Sequence, residues 1–209
     1  EAGGFVPSGV YDADGADGDD FRTVGGDYYK PTDADYEANC DEARQLLADA
    51  GYPNGEGFPV VEYLYNTSDA HKAVAEALQF MWEEELGVKV TLNNQEWAAF
   101  LQTRKDGDYS IARNGWIADY NDPISFLDMW MTGGGNNDAQ YANDDYDALI
   151  KQAKTTTDNA ERMDLLHQAE DKLIGEDSVL APLYFYTQKY MLADGIEGMY
   201  YCPLGYFFF

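Results

Sequence analysis

The chain has 209 residues, of which 45% are hydrophobic, enough to bury the core of one domain or of two small ones. Its 39 acidic residues outnumber its 13 basic ones. The resulting net charge of −26 excludes a nucleic-acid-binding or anionic-membrane-binding protein, because both need a positive footprint. The sequence contains no apolar run of about 18 residues, so no membrane-spanning segment is expected in it.

The first thirty residues are predicted to form a surface loop, because they are rich in Gly, Asp and Pro and show no apolar periodicity. The acidic run DADGADGDD at 12–20 departs from an EF-hand calcium loop, since Asp17 stands at the sixth position where glycine is required. We interpret this run as a plain acidic loop. Residues 1–10 lack the basic and apolar segments of a signal peptide, so any such segment is expected outside this chain.

The next part of the chain is predicted to alternate helices with strands. Apolar residues at three- and four-residue spacing indicate helices from Thr32 to Gly51, from Ser68 to Gly87 and from Trp97 to Arg104. Alternating β-branched and aromatic residues indicate strands at 58–65, 88–93 and 109–113. Units of this kind, about thirty residues each, are typical of an α/β fold in which helices cross over between strands.

Beyond Pro123, the pattern predicts a short helix through Trp130, a helical hairpin at 146–153 and 160–173, and a last strand at 179–186. The chain closes with YYCPLGYFFF. Exposed phenylalanines at 207–209 would form a sticky apolar patch, so this end is expected to pair with another segment. Two cysteines, Cys40 and Cys202, are too few for a disulfide scaffold, and whether they pair is left open.

The stretch ARNGWIADYNDP at 112–123 falls at the end of the strand predicted at 109–113. Ligand crevices of open α/β sheets form at the carboxyl ends of strands. Asp119 is suited to receive an ammonium group, because a partly buried carboxylate needs a cationic partner. Arg113, and Arg104 upstream of it, can each bind a carboxylate through a bidentate pair of hydrogen bonds. An amine at one end and a carboxylate at the other describe a peptide.

Trp116 and Trp97 supply large apolar faces with one polar group each, which suits pockets that accept varied side chains. The same residues also fit a packing role. Aromatic residues near strand ends often belong to the core, and an Asp before Tyr-Asn-Asp-Pro can cap a turn or the next helix. From the residues alone, both interpretations stay open.

Enzyme chemistry finds little support in the sequence. It has no G-x-S-x-G elbow, and only His71 and His167 are present to act as a base. The glycines at 133–135 lack the Lys and Ser or Thr of a phosphate loop, and metal-ligand spacings are missing, so neither a cofactor nor a metal is expected. Asp119 and Asp122 are conceivable as the acid and base of a glycoside hydrolase, but close acidic pairs arise by chance among 39 acids.

Several segments resemble the extracytoplasmic oligopeptide-binding proteins that serve ABC importers. The resemblance is carried by YNTSDAHK at 65–72, NNQEWAAFLQTRKDGDYSIARNGWIADYNDPISFL at 93–127 and APLYFYTQ at 181–188, with EARQLLADAGYP at 42–53 and YANDDYDALI at 141–150. It covers about four-fifths of the chain and is specific in order and spacing.

The resemblance implies an α/β fold, namely a periplasmic-binding-protein-like type II lobe with a mixed β-sheet flanked by helices. Residues 1–30 would cross from an N-terminal lobe missing from this chain, residues 31–190 would form the C-terminal lobe, and residues 191–209 would return to the missing lobe. It further implies an extracytoplasmic protein, in the periplasm or lipid-anchored at the cell surface. Such a protein captures short peptides between two lobes and delivers them to a membrane permease.

The resemblance also implies seven ligand-binding residues and no catalytic ones. Asp119 would receive the peptide's α-ammonium group, Trp116 and Trp97 would form pocket walls, Arg113, Arg104 and His71 would receive the carboxylate, and Tyr186 would face the cleft near the hinge. Without the resemblance, His71 reads as a surface histidine at a helix start.

Ile117 stands where the closest family members have a cysteine, so their disulfide is absent and the loop is expected to be held by packing. Three alternatives remain open: the same fold with another cargo, such as a nickel complex, haem or an oligosaccharide; an acid-base hydrolase; and a purely structural surface protein.

Overall fold

The computed structural model describes residues 1–29, 32–187, 189–202 and 206–208, with the backbone alone for residues 201, 202 and 206. The chain forms two compact units. One is Thr32–Gly115, and the other joins Glu1–Pro31 with Trp116–Phe209. Within the described ranges, no helix has both the length and the apolar character needed to cross a membrane.

The α-helices in chain order are α1 (Phe21–Gly25), α2 (Tyr36–Asp49), α3 (Asp69–Leu86), α4 (Trp97–Asp106), α5 (Ile124–Leu127), α6 (Asp144–Ala153) and α7 (Asn159–Glu170). The strands are β1 (Val61–Asn66), β2 (Val90–Gln95), β3 (Ile111–Ala112), β4 (Tyr200–Cys202) and β5 (Tyr206–Phe208). Short 3₁₀ turns lie at Gly15–Asp17, Pro53–Gly55 and Asp128–Trp130, and a π-helical turn spans Asp171–Glu176.

The unit Thr32–Gly115 is built on a parallel sheet with strand order β2-β1-β3. Side chains alternate along β1, so Tyr63 and Tyr65 share one face and pack into a core with Ala75 and Leu78 of α3. Buried Leu64 points to the opposite face. The predicted α/β class, with helices between parallel strands, is confirmed.

The helix boundaries in this unit follow local signals. Gly87 ends α3 in the left-handed region at φ 67°, and a Cβ there would lie 2.3 Å from the Asn54 carbonyl oxygen, so only glycine fits. The predicted start of α2 at Thr32 is wrong, because the helix begins at Tyr36 with Asp35 at the N-cap. Thr32 instead donates its hydroxyl to the Asp35 carboxylate.

The other unit has an apolar core between α5, α6, α7 and the N-terminal segment. The helical hairpin is confirmed, although α7 ends at Glu170 and continues as the π-helical turn. The prediction of an N-terminal surface loop is wrong for Val6, Val10 and Phe21, which are buried in this core. The Gly- and Asp-rich composition concealed these three residues, since apolar side chains at irregular spacing carry no periodic signal.

The predicted strand at 179–186 is wrong, because these residues form no strand ladder. Their backbone contact with the N-terminal segment is a hydrogen bond from the Ala2 N–H to the Leu183 carbonyl, 3.2 Å long. The chain end does pair: β4 and β5 form an antiparallel hairpin, in which Tyr200 stacks on Phe208 at 5.0 Å. The expectation for Phe209 lies outside the described residues. Cys40 carries a free thiol.

Candidate functional site

Several polar side chains of the unit Thr32–Gly115 lie at the carboxyl edge of its parallel sheet. Because β1, β2 and β3 run in the same direction, their last residues, Asn66, Gln95 and Ala112, lie along one edge. Arg113 follows β3 and continues the ladder, as its N–H donates to the Leu64 carbonyl over 2.8 Å. This hydrogen bond to the sheet therefore fixes the backbone position of Arg113.

Three side chains predicted to receive a carboxylate are linked at this edge. Arg113 Nη1 donates to Asn66 Oδ1 over 3.3 Å, and Arg104 Nη1 donates to the Arg113 carbonyl over 3.3 Å. His71 Nδ1 lies 3.2 Å from the Asn66 carbonyl oxygen, which can only accept, so Nδ1 carries the proton. We call His71, Arg104 and Arg113 the basic cluster; Asn66 contacts His71 and Arg113, and Arg104 contacts the Arg113 carbonyl.

Trp97, the first residue of α4, lies in the same unit. Its ring stacks on Phe100 with centroids 5.8 Å apart, and the Arg104 guanidinium lies 5.1 Å from the centroid of the same Phe100 ring. Phe100 is fully buried whereas Trp97 is 53% exposed. The buried Phe100 ring of α4 thus contacts both an exposed aromatic face and a member of the basic cluster.

Trp116 and Asp119 belong to the other unit, in the loop before α5. Trp116 Nε1 donates to the Ser125 carbonyl over 2.6 Å, and the Asp119 N–H donates to Ser125 Oγ over 2.9 Å. Ser125 is buried, so it anchors this loop. The Asp119 carboxylate is exposed and has no hydrogen-bond or ion-pair partner among the described residues. The hydrogen bond to Ser125 thus fixes the backbone of Asp119, while its carboxylate remains exposed to solvent.

Asp122, the second acid of the conceivable hydrolase pair, has a structural role in this loop. It accepts a bidentate pair from Arg162, at 2.9 and 2.8 Å, and also the Ile124 N–H at 2.9 Å. Because Asp122 is committed to an ion pair and a turn, it is poorly suited to act as one of two catalytic carboxylates. Burial, followed by the charges of Asp128 and Asp122, raises the pKa of Tyr120 in the same loop.

Tyr186 is 58% exposed and packs edge-on against Tyr184, with ring centroids 5.4 Å apart. The structure thus links His71 to Arg113 through Asn66 and Arg104 to the Arg113 carbonyl, and it places Trp97 on the same helix as Arg104. Trp116, Asp119 and Tyr186 lie in the second unit. Within the described residues, no group of three or more His, Cys, Asp or Glu side chains is arranged to hold a metal ion.

Sequence reasoning missed the residues that hold these side chains. Asn66 organises the basic cluster, Ser125 anchors the loop of Trp116 and Asp119, and Arg162 neutralises Asp122. A signal existed for Asn66, because it directly follows the strand predicted at 58–65, and ligand crevices form at the carboxyl ends of such strands. Arg162 gave no signal, since it looks like any charged residue on an amphipathic helix.

Polar and aromatic side chains at the carboxyl edge of a parallel sheet are typical of ligand-binding α/β proteins. Residues 8–138, more than half of the chain, match the family described as bacterial extracellular solute-binding proteins, family 5, middle. The chain belongs to this family.

Comparison with individual proteins also shows sequence similarity to solute-binding proteins. The dipeptide-binding protein DppE of Bacillus subtilis (strain 168) is 39% identical over 191 residues, 91% of this chain and 34% of the relative. The periplasmic oligopeptide-binding protein OppA of Salmonella typhimurium is 40% identical over 158 residues, 76% of this chain and 29% of the relative. Heme-binding protein A of Haemophilus influenzae, named for another cargo, is 30% identical over 177 residues, 82% of this chain and 32% of the relative.

The fold is shared with solved structures. The crystal structure of Haemophilus influenzae OppA in complex with RPPGFSPFR matches 70% of this chain and 29% of that chain, with 36% identity and a TM-score of 0.65. The predicted periplasmic-binding-protein-like fold is thereby confirmed. The chain spans about a third of the length of the curated relatives it matches.

Proposed function

We propose that this chain is the peptide-receiving part of an extracytoplasmic solute-binding protein, which captures short peptides and delivers them to the permease of an ABC importer. The observation that carries the proposal is the basic cluster. In a chain with a net charge of −26, three of its few basic residues are linked by hydrogen bonds through Asn66 and the Arg113 carbonyl, at the carboxyl edge of a parallel sheet. Such a concentration of donors suits a ligand carboxylate.

The remaining predicted residues supply the complementary chemistry. The exposed Asp119 carboxylate is suited to the α-ammonium group, and the exposed face of Trp97 is suited to apolar side chains of the ligand. Trp116 and Tyr186, which belong to the other unit, are proposed as further aromatic contacts for the ligand. No bond is broken in this function, and the commitment of Asp122 to Arg162 supports binding over acid–base hydrolysis.

In the complete protein, we propose a lipid-anchored receptor of two lobes in which this chain contributes the C-terminal lobe at 31–190. Residues 1–30 and 191–209 would be the connections to the other lobe. The hydrogen bond from Ala2 to Leu183 supports this organisation, because it ties the N-terminal segment to the chain that leads towards residue 191. Closure of two lobes would bury the peptide and create a new surface for the permease.

Another cargo is the second candidate. It is favoured by one observation, the similarity to heme-binding protein A. A zwitterionic peptide engages both the Asp119 carboxylate and the basic cluster, whereas a nickel complex, haem or an oligosaccharide does not require both. The response to masking each end of a peptide therefore separates these cargoes.

Calorimetric titration of the complete protein with di-, tri- and tetra-alanine tests the proposal. Asp119→Asn should weaken binding of the free peptide by about 10- to 100-fold, since a hydrogen bond between charged groups contributes about 1.5–3 kcal/mol, and should not affect an N-acetylated peptide. Arg113→Gln should have the same effect on the free acid but none on the C-terminal amide. Asp144→Asn and Lys105→Gln, at exposed sites, are matched controls.

Binding of haem or a nickel complex, with no affinity for any of the peptides, would refute the peptide assignment.

A further inference from the structure

Asn66 occupies a position where the fold calls for an apolar side chain. It is the last residue of β1 and shares a face with Leu64, which is fully buried. Asn66 itself is only 9% exposed. Burying an amide group costs free energy of folding unless its polar atoms form hydrogen bonds. The hydrogen bonds of Asn66 therefore indicate the role of this residue.

One half of the Asn66 amide is engaged within the protein. Arg113 Nη1 lies 3.3 Å from Oδ1, and a guanidinium can only donate, so the oxygen of the amide must face Arg113. The main-chain carbonyl of Asn66 accepts the proton of His71 Nδ1, which directs the other ring nitrogen of His71, Nε2, away from the backbone. Asn66 therefore orients two members of the basic cluster.

The other half of the amide is not engaged. Across the described residues, no acceptor lies within hydrogen-bonding distance of Asn66 Nδ2. The polar side-chain atoms that are both sealed from solvent and unpaired in this part of the chain are Arg22 Nε and Trp130 Nε1, so Nδ2 retains access to solvent. Two N–H donors on a side chain that is nine-tenths buried thus stay available beside the guanidinium of Arg113.

We infer that Asn66 is a ligand-binding residue that selects for an ionised carboxylate, with Nδ2 donating to the carboxylate that Arg113 receives. The inference rests on the proposed function. A carboxylate accepts several hydrogen bonds, and Nδ2 adds neutral donors to the charged ones of the basic cluster. Aspartate of the same shape would remove those donors and present Arg113 with an internal carboxylate that competes with the ligand.

The test is titration of the complete protein with the tightest-binding of di-, tri- and tetra-alanine and with its C-terminal amide. Asn66→Asp should weaken binding of the free acid by about 10- to 100-fold and of the amide by less than about threefold. Asn66→Ala, which removes the donors without adding charge, should weaken the free acid by about 3- to 10-fold. Asn94→Asp adds the same charge at an exposed position of the same edge and should change neither affinity by more than about threefold.

Loss of affinity for the acid alone, in a variant whose melting temperature matches the parent protein, supports the role. If Asn66→Asp does not fold, Asn66→Ala decides. Equal weakening of acid and amide, or unchanged affinity for both, overturns the inference, because a residue that donates to the ligand carboxylate must affect the free acid more than the amide. If the parent protein itself shows no preference for the acid, the assignment of Arg113 as carboxylate receptor fails instead, and the inference fails with it.

Discussion

Glu170→Gln is expected to destabilise the unit that contains Glu170 more than any surface substitution. Glu170 is fully buried at the end of α7. One of its oxygens accepts the N–H groups of Phe5 and Val6, at 2.9 and 2.8 Å, and both oxygens accept from the Arg22 guanidinium, at 2.9 Å each. This carboxylate therefore attaches the N-terminal segment and α1 to α7.

The size of the expected destabilisation follows from the charge of Arg22, which the glutamine amide leaves without a counter-charge. Glutamine keeps one oxygen for the backbone donors, but its NH₂ group opposes an N–H of Arg22, whose side chain is 6% exposed. Removing one partner of a buried ion pair costs about 3–5 kcal/mol, because the other charge stays buried. Asp27, 3.8 Å from Arg22 Nε, offsets little of this cost because its side chain is 52% exposed.

Urea unfolding followed by circular dichroism measures the change in the free energy of unfolding. The matched control is Glu176→Gln, which removes an exposed pair with Lys172 and should cost about 0.5 kcal/mol or less. The double variant Arg22→Met/Glu170→Leu should be more stable than Glu170→Gln, since it removes both charges together. A cost below about 1 kcal/mol for Glu170→Gln would refute the view that this buried pair holds the segment.

Three further predictions concern stability. Tyr146→Phe should cost about 1–3 kcal/mol, because the buried Leu127 carbonyl loses the Tyr146 hydroxyl, 2.6 Å away. Hydrogen bonds from Tyr141 and then Asn143 lower the pKa of Asp177 below its ordinary value of 3.8, so the stability that this carboxylate adds is present above that pH and disappears as the pH falls through the folded-state pKa. Asp177→Asn should therefore lower the melting temperature at pH 7, and this difference should shrink as the pH falls below 3.8. Finally, raising NaCl from about 0.01 M to about 0.5 M should raise the melting temperature, since salt screens repulsion among the excess acidic residues.

Each of these predictions has a contrary outcome. Tyr146→Phe at parental stability would mean that the Leu127 carbonyl finds another donor. An equal melting difference between parent and Asp177→Asn at pH 7 and below pH 3.8 would show that ionisation of Asp177 is irrelevant. A melting temperature that falls with NaCl would mean that attractive ion pairs outweigh the net repulsion.

Features set by short-range chemistry could be predicted from the sequence. The helix that ends at Gly87, the order of helices and strands from α2 to β3, and the helical hairpin follow from spacing and from the conformational freedom of glycine. Likewise, a predicted strand at 109–113 was enough to place the candidate residues at the carboxyl edge of a sheet. These features depend on residues close together in the chain, so local patterns in the amino-acid sequence are enough to predict them.

The tertiary structure alone decided which residues support the site. Asn66 meets Arg113 across 47 positions of the chain, and Glu170 meets Phe5 across 165. No local pattern reports such pairs, because they exist only after the sheet has formed or the N-terminal segment has packed on α7. The predicted strand at 179–186 failed for the same reason: alternation of side chains favours an extended chain, but a strand also needs a neighbouring strand to accept its hydrogen bonds.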